Sequence, residues 1–360
     1  MRGGGEIGGD EGSIADLGEF GVIAALRARM PAGPLTSVGI GDDAAVVAAP
    51  SGSVVAAVDL LIEGRHFRRD WSAAYDVGVK AAARSLSDIA AMGAVNTALL
   101  VALAAPGTLP ARWATDLADG LAAEAARAGA GIVGGDTARA DLVILSVTAL
   151  GDLTNRPVLR SGARPGDLVA VAGPLGRSAA GLALLSAGLS VGQAAPALAA
   201  LVAAHQRPAP PYDAGPEAAL LGATAMIDVS DGLLADLGHV AAASGVQVDI
   251  DSSRLTVGTA LREAAASLAI APPAATTGAA GSVTPVSPAA FPAAFPAGSP
   301  HAVALEWVLT GGEDHALVAA FPPGTALPAR WRVIGEVRDG TGVTVDGAAH
   351  QGPGGWQHFR

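Results

Sequence analysis

Aspartates recur in short turns of small residues along this chain. Two adjacent ones, Asp42 and Asp43, lie in GIGDDAAVV, and others lie in VDLLIEG (Asp59), SLSDIAAMGA (Asp88), VGGDTAR (Asp136) and IDVSDG (Asp228, Asp231), with a GGED at 311–314. Each motif adjoins an apolar run that would hold its acid at the end of a rigid element. Magnesium prefers carboxylate and water oxygens, and it is bound by one or two protein carboxylates together with substrate phosphates. The set of motifs predicts a metal–phosphate site.

Any one of these motifs alone is more often a turn than a ligand, because aspartate caps helices and bonds its own backbone. Asp231 before GLLADLGHV would serve as an N-cap, and Asp88 would pair with Arg84 across one helical turn. The recurrence of such motifs in one chain favours the metal site, although it defines no reaction. Two interpretations of His66 in EGRHF stay equally open: it binds a ligand or the substrate, or it is an ordinary surface residue.

The composition excludes several other chemistries. The chain has no cysteine, so disulfides, thiolate catalysis and cysteine-bound zinc or iron–sulfur sites are excluded. It has a single lysine, Lys80, and no GxxxxGK[ST] or HExxH motif. With 33 acidic against 22 basic residues it lacks the basic surface that nucleic acid requires. Phosphates would therefore be bound through cations.

Apolar runs with strand and helix patterns alternate along the 360 residues, which indicates an α/β or α+β protein. SVVAAVDLLI and DLVILSVTALG are typical of strands, and LGEFGVIAALRARM and the stretch 73–92 of helices. We predict a flexible tail at 1–16, an N-terminal domain at 17–151 and a C-terminal domain at 152–360, with an Ala/Pro-rich loop at 264–300. No signal peptide and no membrane-spanning run is recognisable, which favours a cytoplasmic protein without a membrane partner.

Seven motifs, taken in their order along the chain, resemble the thiamine-monophosphate kinase family, within the superfamily named for aminoimidazole ribonucleotide synthetase. They are GIGDDAAVV, VDLLIEGRHF, SLSDIAAMGA, GGDTAR, RSGARPGD, IDVSDGLLADLGH and LTGGEDHALV. The resemblance implies a two-domain fold, with an N-terminal sheet domain that dimerises and a C-terminal α/β domain. It also implies ATP-dependent phosphorylation of thiamine monophosphate to thiamine diphosphate, by direct in-line transfer of the γ-phosphate with magnesium ions. The expected partners are ATP, thiamine monophosphate and a second copy of the chain.

The resemblance also assigns roles to individual residues. The magnesium ligands it implies are Asp43, Asp59, Asp88, Asp136, Asp228 and Asp231. The ATP contacts are Gly135, Asp136, Arg160 and Ser230, and the thiamine phosphate contacts are His66, Glu313 and Trp356. No general base is expected, because a phosphate monoester is mostly a dianion at neutral pH, so Arg160 acts electrostatically.

One departure from the family and two alternative functions remain. Family members commonly carry small hydroxyl residues just before the aspartate of the second motif, whereas this chain has Ala57 and Val58, which leaves the number of metal ions open. One alternative is another ATP-using enzyme of the superfamily; its selenophosphate synthetases and hydrogenase-maturation enzymes resemble proteins that need a cysteine or selenocysteine. The other is a binder of thiamine phosphate or nucleotide that has lost turnover.

Overall fold

The computed structural model describes residues 13–31, 33–40, 44–188, 196–270, 298–352 and 354–356. The chain divides into two compact units. The N-terminal unit comprises Met1–Ser85 and Asn96–Gly151, and the C-terminal unit comprises Leu86–Val95 and Asp152–Arg360. The chain passes between the units at Gly151 and Asp152. The segment Leu86–Val95, which carries Asp88, also groups with the C-terminal unit, although it lies within the stretch predicted as the N-terminal domain.

The N-terminal unit contains a four-stranded sheet in the order β3-β6-β4-β5, in which β4 and β5 are parallel. A separate antiparallel pair is formed by β1 and β2. The elements are α1 (Ile14–Arg27), β1 (Thr36–Val38), β2 (Val46–Val47), β3 (Val54–Ile62), α2 (Ala74–Ala91), β4 (Val95–Ala105), α3 (Ala111–Arg127), β5 (Gly131–Arg139) and β6 (Ile144–Asp152). Helices α2 and α3 approach closely, because a Cβ at Gly78 would collide with the carbonyl oxygen of Leu117.

Helix α1 begins within the predicted flexible tail. Residues 13–16 belong to that predicted tail, but Ser13 and Asp16 form a capping box. The Ser13 N–H donates to Asp16 Oδ2 at 2.8 Å, and the Asp16 N–H donates to Ser13 Oγ at 3.3 Å. Such reciprocal bonds satisfy backbone donors that a helix start otherwise leaves unpaired, which stabilises a helix start at Ser13.

The C-terminal unit is built on a seven-stranded sheet in the order β13-β12-β9-β11-β7-β10-β8. Neighbours in it are antiparallel except β12 and β9. Its strands are β7 (Leu168–Ala172), β8 (Ala225–Asp228), β9 (Gln247–Ile250), β10 (Leu317–Phe321), β11 (Trp331–Arg338), β12 (Gly342–Val345) and β13 (Ala348–Ala349). Its further helices are α4 (Arg177–Ser186), α5 (Pro196–Gln206), α6 (Ala214–Leu220), α7 (Leu233–Ser244), α8 (Thr259–Ile270) and α9 (Pro300–Thr310).

Both ends of the predicted loop at 264–300 are helical. Helix α8 continues to Ile270, and Pro300 starts α9 with Ser299 as N-cap, where proline is tolerated because the first helical N–H needs no partner. Residues 271–297 lie outside the described part of the chain. Among the residues that the structure describes, none forms a helix long and apolar enough to cross a membrane.

Candidate active site

Two loops of the C-terminal unit run side by side at one end of β8 and β10. The strands pair antiparallel with Asp228 opposite Leu317. Beyond the strands, the Val229 N–H donates to the Ala316 carbonyl at 2.7 Å, and the Glu313 N–H donates to the Ser230 carbonyl at 2.8 Å. This continued pairing places the loop after β8 (229–232) against the loop before β10 (311–316). Three residues assigned by resemblance, Ser230, Asp231 and Glu313, therefore lie in one loop pair, next to Asp228 at the end of β8.

Asp228, the last residue of β8, is buried with two polar partners. Its Oδ2 accepts a hydrogen bond from Ser87 Oγ at 2.8 Å and lies 3.0 Å from His315 Nδ1. Burial raises the pKa of Asp228, but the hydrogen bonds and charge of His315, the Ser87 hydroxyl and the positive charge of Arg160 outweigh it and hold this pKa below its ordinary value. Asp228 is thus an ionised carboxylate in a buried position.

The loop after β8 is shaped by another buried acid, Asp236 in the first turn of α7. Its Oδ2 accepts hydrogen bonds from the N–H groups of Asp231 and Gly232, each at 3.0 Å. Burial, together with the charges of Asp228 and Asp231, raises the pKa of Asp236 to about 8. The expectation that Asp231 caps α7 is wrong: Gly232 occupies the N-cap position and no side chain caps the helix there.

Gly232 is required by the geometry of this loop. Its φ of 126° lies in a region that side-chain-bearing residues rarely adopt, and a Cβ there would collide with the carbonyl oxygen of Thr310. The loops are therefore packed backbone against backbone. Glu313 and His315 also adopt positive φ values, 65° and 52°, which cost energy in residues with side chains and persist only where the surrounding structure enforces them.

Two further assigned residues adjoin Asp228. Asp88 follows Ser87 in the last turns of α2 and is half-buried. Arg160 lies in a segment along β8, since the Met226 N–H donates to the carbonyl of the preceding residue, Leu159, at 3.0 Å. The Ser244 hydroxyl also fixes the Arg160 backbone, by donating to its carbonyl oxygen at 3.1 Å.

The C-terminal segment 354–356 packs on the same loop. The Trp356 N–H donates to the Asp231 carbonyl at 2.9 Å, and the Ala235 N–H donates to the Gly354 carbonyl at 3.1 Å. The indole of Trp356 is partly exposed, with 39% of the residue's surface accessible. The segment thus places an aromatic side chain beside the loop of Ser230 and Asp231.

In the N-terminal unit, Asp59 lies within β3. The Ser85 Oγ donates to its Oδ2 at 3.1 Å, and Arg84 Nη2 lies 3.7 Å from its Oδ1. Since alternate residues of a strand share a face, Ala57 is on the same face as Asp59 and Val58 on the opposite one. Neither residue supplies a side-chain oxygen there.

The other assigned residues of this unit lie on β5 and after β3. Asp136 is exposed on β5, and its Oδ1 accepts from the Thr137 N–H at 2.8 Å. A Cβ at Gly135 would collide with the Val101 carbonyl, so this position admits only glycine. His66 Nδ1 accepts the Ile62 N–H at 3.0 Å, which in the neutral ring places the proton on Nε2. Asp43 lies outside the described residues.

The carboxylates that the structure describes do not form a complete set of metal ligands by themselves. Within the part of the chain that the structure describes, no three or more histidine or acidic side chains cluster closely enough to hold a metal ion by themselves. Magnesium is commonly bound by only one or two protein carboxylates when substrate phosphates complete its coordination. The all-oxygen donors and the ionised Asp228 fit such an ion.

Sequence reasoning missed four side chains that shape these loops: Ser87, Asp236, Asp314 and His315. Asp314 is buried and accepts hydrogen bonds from the N–H groups of Gly176 and Ser178, which ties the loop 311–316 to the start of α4. All four lie inside the quoted motifs, so the signal was present. Their partners are distant in sequence, however, and only the folded chain identifies them.

Known proteins resemble this chain along most of its length. Residues 41–153 match the family described as AIR synthase related protein, N-terminal domain, and residues 164–279 match its C-terminal domain. A thiamine-monophosphate kinase of Mycobacterium tuberculosis is 47% identical over 96% of this chain and 93% of its own length. That of Corynebacterium glutamicum is 37% identical over 97% of this chain and 96% of its own length.

Solved structures share the fold. The thiamine-monophosphate kinase of Stenotrophomonas maltophilia K279a superposes with a TM-score of 0.73 at 32% identity, covering 91% of this chain and 96% of that one. A structure described as AaThiL complexed with AMPPCP and TMP gives a TM-score of 0.72 at 31% identity, covering 96% and 98%. With matching domains, relatives over nearly the whole length and the same two-domain α/β fold, the chain belongs to the thiamine-monophosphate kinase family.

Proposed function

We propose that the protein transfers the γ-phosphoryl group of ATP to thiamine monophosphate, giving thiamine diphosphate and ADP. The observation that carries this proposal is the loop pair after β8 and before β10, with the Trp356 segment packed on it. That one end of the C-terminal sheet holds residues assigned to the metal (Asp228, Asp231), the nucleotide (Ser230) and the acceptor (Glu313, Trp356). The AaThiL structure, whose ligands are AMPPCP and TMP, supports the same pair of substrates.

Magnesium ions fit the available donors. Asp59 and Asp136 in the N-terminal unit, Asp88, Asp228 and Asp231 in the C-terminal unit, and Asp43 would hold them. When bound, magnesium neutralises phosphate charge and lowers the repulsion between two anionic substrates. The absence of side-chain oxygens at Ala57 and Val58 means that backbone carbonyls or water would supply any further ligands beside Asp59.

The chain's own residues bind and orient the reactants. An oxygen of the acceptor phosphate attacks the γ-phosphorus in line, the bond from that phosphorus to the bridging oxygen breaks, and ADP leaves. The attacking oxygen of a dianionic phosphate carries no proton, so no general base is needed. Arg160 stabilises charge on the transferring group, while His66, Glu313 and Trp356 hold the acceptor. Catalysis is thus positioning combined with electrostatic stabilisation.

We also propose that the protein acts as a homodimer in the cytoplasm, with the N-terminal sheet as the dimer interface. Strand β3 lies at the edge of that sheet and exposes apolar side chains at alternate positions, with Val54, Val58 and Leu60 each more than half accessible. An exposed edge strand with an apolar face is unfavourable in water and suits pairing with another chain.

Product analysis of the purified protein tests the activity. With ATP labelled at the γ-phosphate, magnesium and thiamine monophosphate, we expect the label in thiamine diphosphate, formed in equal amount with ADP. Release of inorganic phosphate without thiamine diphosphate would favour a synthetase of the superfamily. Binding of both substrates without any product, under conditions in which a relative turns over, would favour a binder that has lost catalysis.

A further inference from the structure

Three buried polar side chains from three separate elements meet at Asp228. Ser87 on α2, Asp228 on β8 and His315 before β10 are at most 3% exposed. Ser87 Oγ lies 2.8 Å from Asp228 Oδ2 and 3.2 Å from His315 Nδ1, and His315 Nδ1 lies 3.0 Å from the same Oδ2. Both partners therefore engage one oxygen of the carboxylate, which leaves Oδ1 for another ligand.

His315 is held in place by its backbone rather than by its second ring nitrogen. Its N–H donates to the Val229 carbonyl at 2.9 Å, and its φ of 52° is one that histidine tolerates better than most residues do. Nε2 is buried and has no hydrogen-bond partner among the described residues. The hydrogen bonds that its ring does make are to Asp228 and Ser87, so the ring is oriented toward the carboxylate.

We propose that Ser87 and His315 are positioning residues that fix Oδ2 of Asp228, so that Oδ1 is presented to a magnesium ion on the substrate phosphates. This inference rests on the proposed function for the metal role of Asp228. Because Ser87 directly precedes Asp88, the same turn of α2 also sets the position of a second proposed ligand. Hydrogen-bond partners behind a metal ligand restrict its rotation, and their removal typically weakens metal affinity about 10–100-fold.

The chain offers a matched control in a second buried Ser–His pair. Ser178 Oγ lies 2.9 Å from His205 Nδ1, and both residues are at most 5% exposed. Neither side chain is assigned to a substrate or metal. Ser87→Ala and Ser178→Ala thus remove the same chemical group from similar surroundings, and only the first removes a hydrogen bond to a proposed metal ligand.

Metal binding is the readout, with Mn²⁺ as the probe in the presence of a non-hydrolysable ATP analogue and free metal followed by electron paramagnetic resonance. We expect Ser87→Ala and His315→Phe each to weaken Mn²⁺ binding roughly 10–100-fold, and Ser178→Ala to leave it unchanged. His315→Asn should recover most of the affinity, because the asparagine amide can donate from near the Nδ1 position and asparagine tolerates positive φ.

A double mutant tests whether Ser87 acts through Asp228. In an Asp228→Asn background, adding Ser87→Ala should change Mn²⁺ affinity little, since the group it positions is already gone. Unchanged Mn²⁺ affinity in both single variants, with only a lowered melting temperature, would overturn the proposal and make the cluster structural. The two proposals fail separately: a wild type that binds the metal–nucleotide complex but forms no thiamine diphosphate refutes the kinase activity alone.

Discussion

The backbone N–H of Trp356 donates a hydrogen bond to the carbonyl oxygen of Asp231 at 2.9 Å. This bond attaches the C-terminal segment to the loop after β8 through its main chain. The indole is 39% exposed beside the loop assigned to metal and nucleotide. Its exposed part would offer a binding face for a ligand ring.

We expect Trp356→Ala to raise KM for thiamine monophosphate roughly 3–30-fold, because the acceptor's thiazolium ring is a permanent cation and a cation over an indole gains about 0.5–2 kcal/mol. KM for ATP should change little, and Trp356→Phe should recover part of the loss. Steady-state kinetics with each substrate varied in turn measures both constants. Equal losses for both substrates, or a lowered melting temperature with unchanged KM, would make Trp356 a structural anchor and direct attention to Phe359, which lies outside the described residues.

Asp59→Asn and Asp136→Asn should each abolish turnover while leaving the fold intact, because an amide cannot replace the charge that holds a cation against phosphate. Their stabilities should differ. Asp136 is exposed, so its variant should melt as the wild type does, whereas Asp59 accepts from Ser85 and lies near Arg84, so its variant should melt lower. Asp116→Asn, at an exposed ion pair with Arg112, is the control. A variant that retains most activity at millimolar Mg²⁺ would exclude its residue as a ligand.

The sequence predicted the two-domain α/β fold and the family, and the comparisons confirm both. The residues of the loop pair at β8 and β10 could also be predicted from the sequence, since they lie in two recognisable motifs. Contacts between residues far apart in the sequence could not be predicted. Ser87, Asp228 and His315 meet only because β8 pairs with β10 and the end of α2 packs in the same unit. The metal roles of the individual aspartates stay predictions.

We expect the free energy of unfolding to depend on pH through the buried carboxyl of Asp314. Burial raises the pKa of Asp314 to about 7, although hydrogen bonds from the Ser178 and Gly176 N–H groups oppose the shift. In the unfolded chain this carboxyl ionises near pH 4. Between about pH 4 and 7 the folded protein therefore binds a proton that the unfolded chain has released, and the stability from this group is complete below pH 4 and is lost as pH rises through 7.

Asp314→Asn removes that titration, so the free energy of unfolding of the wild type minus that of the variant should fall from pH 4 to 7, by up to about 1.4 kcal/mol per pH unit. The variant should be the less stable protein at low pH, because asparagine offers one acceptor where two N–H groups point. Urea unfolding at several pH values without added metal measures the difference. A difference that is constant with pH would show that Asp314 is ionised in the folded protein throughout.

The exposed face of β3 predicts the oligomeric state. The side chains of Val54 and Leu60 lie on one face of the strand and are 58% and 52% exposed, so charges there should not disturb the fold of one chain. If this face joins two copies, Val54→Lys with Leu60→Lys should convert a dimer into a monomer, because two desolvated charges on each copy would oppose association. Light scattering at micromolar concentration measures the oligomeric state, with the melting temperature of each protein as a check on folding.

Leu220→Lys is the matched control. Leu220 is 75% exposed on α6 of the C-terminal unit, so this substitution should leave the dimer intact. A wild type that is already monomeric, or a double variant that remains a dimer, would remove β3 as the interface.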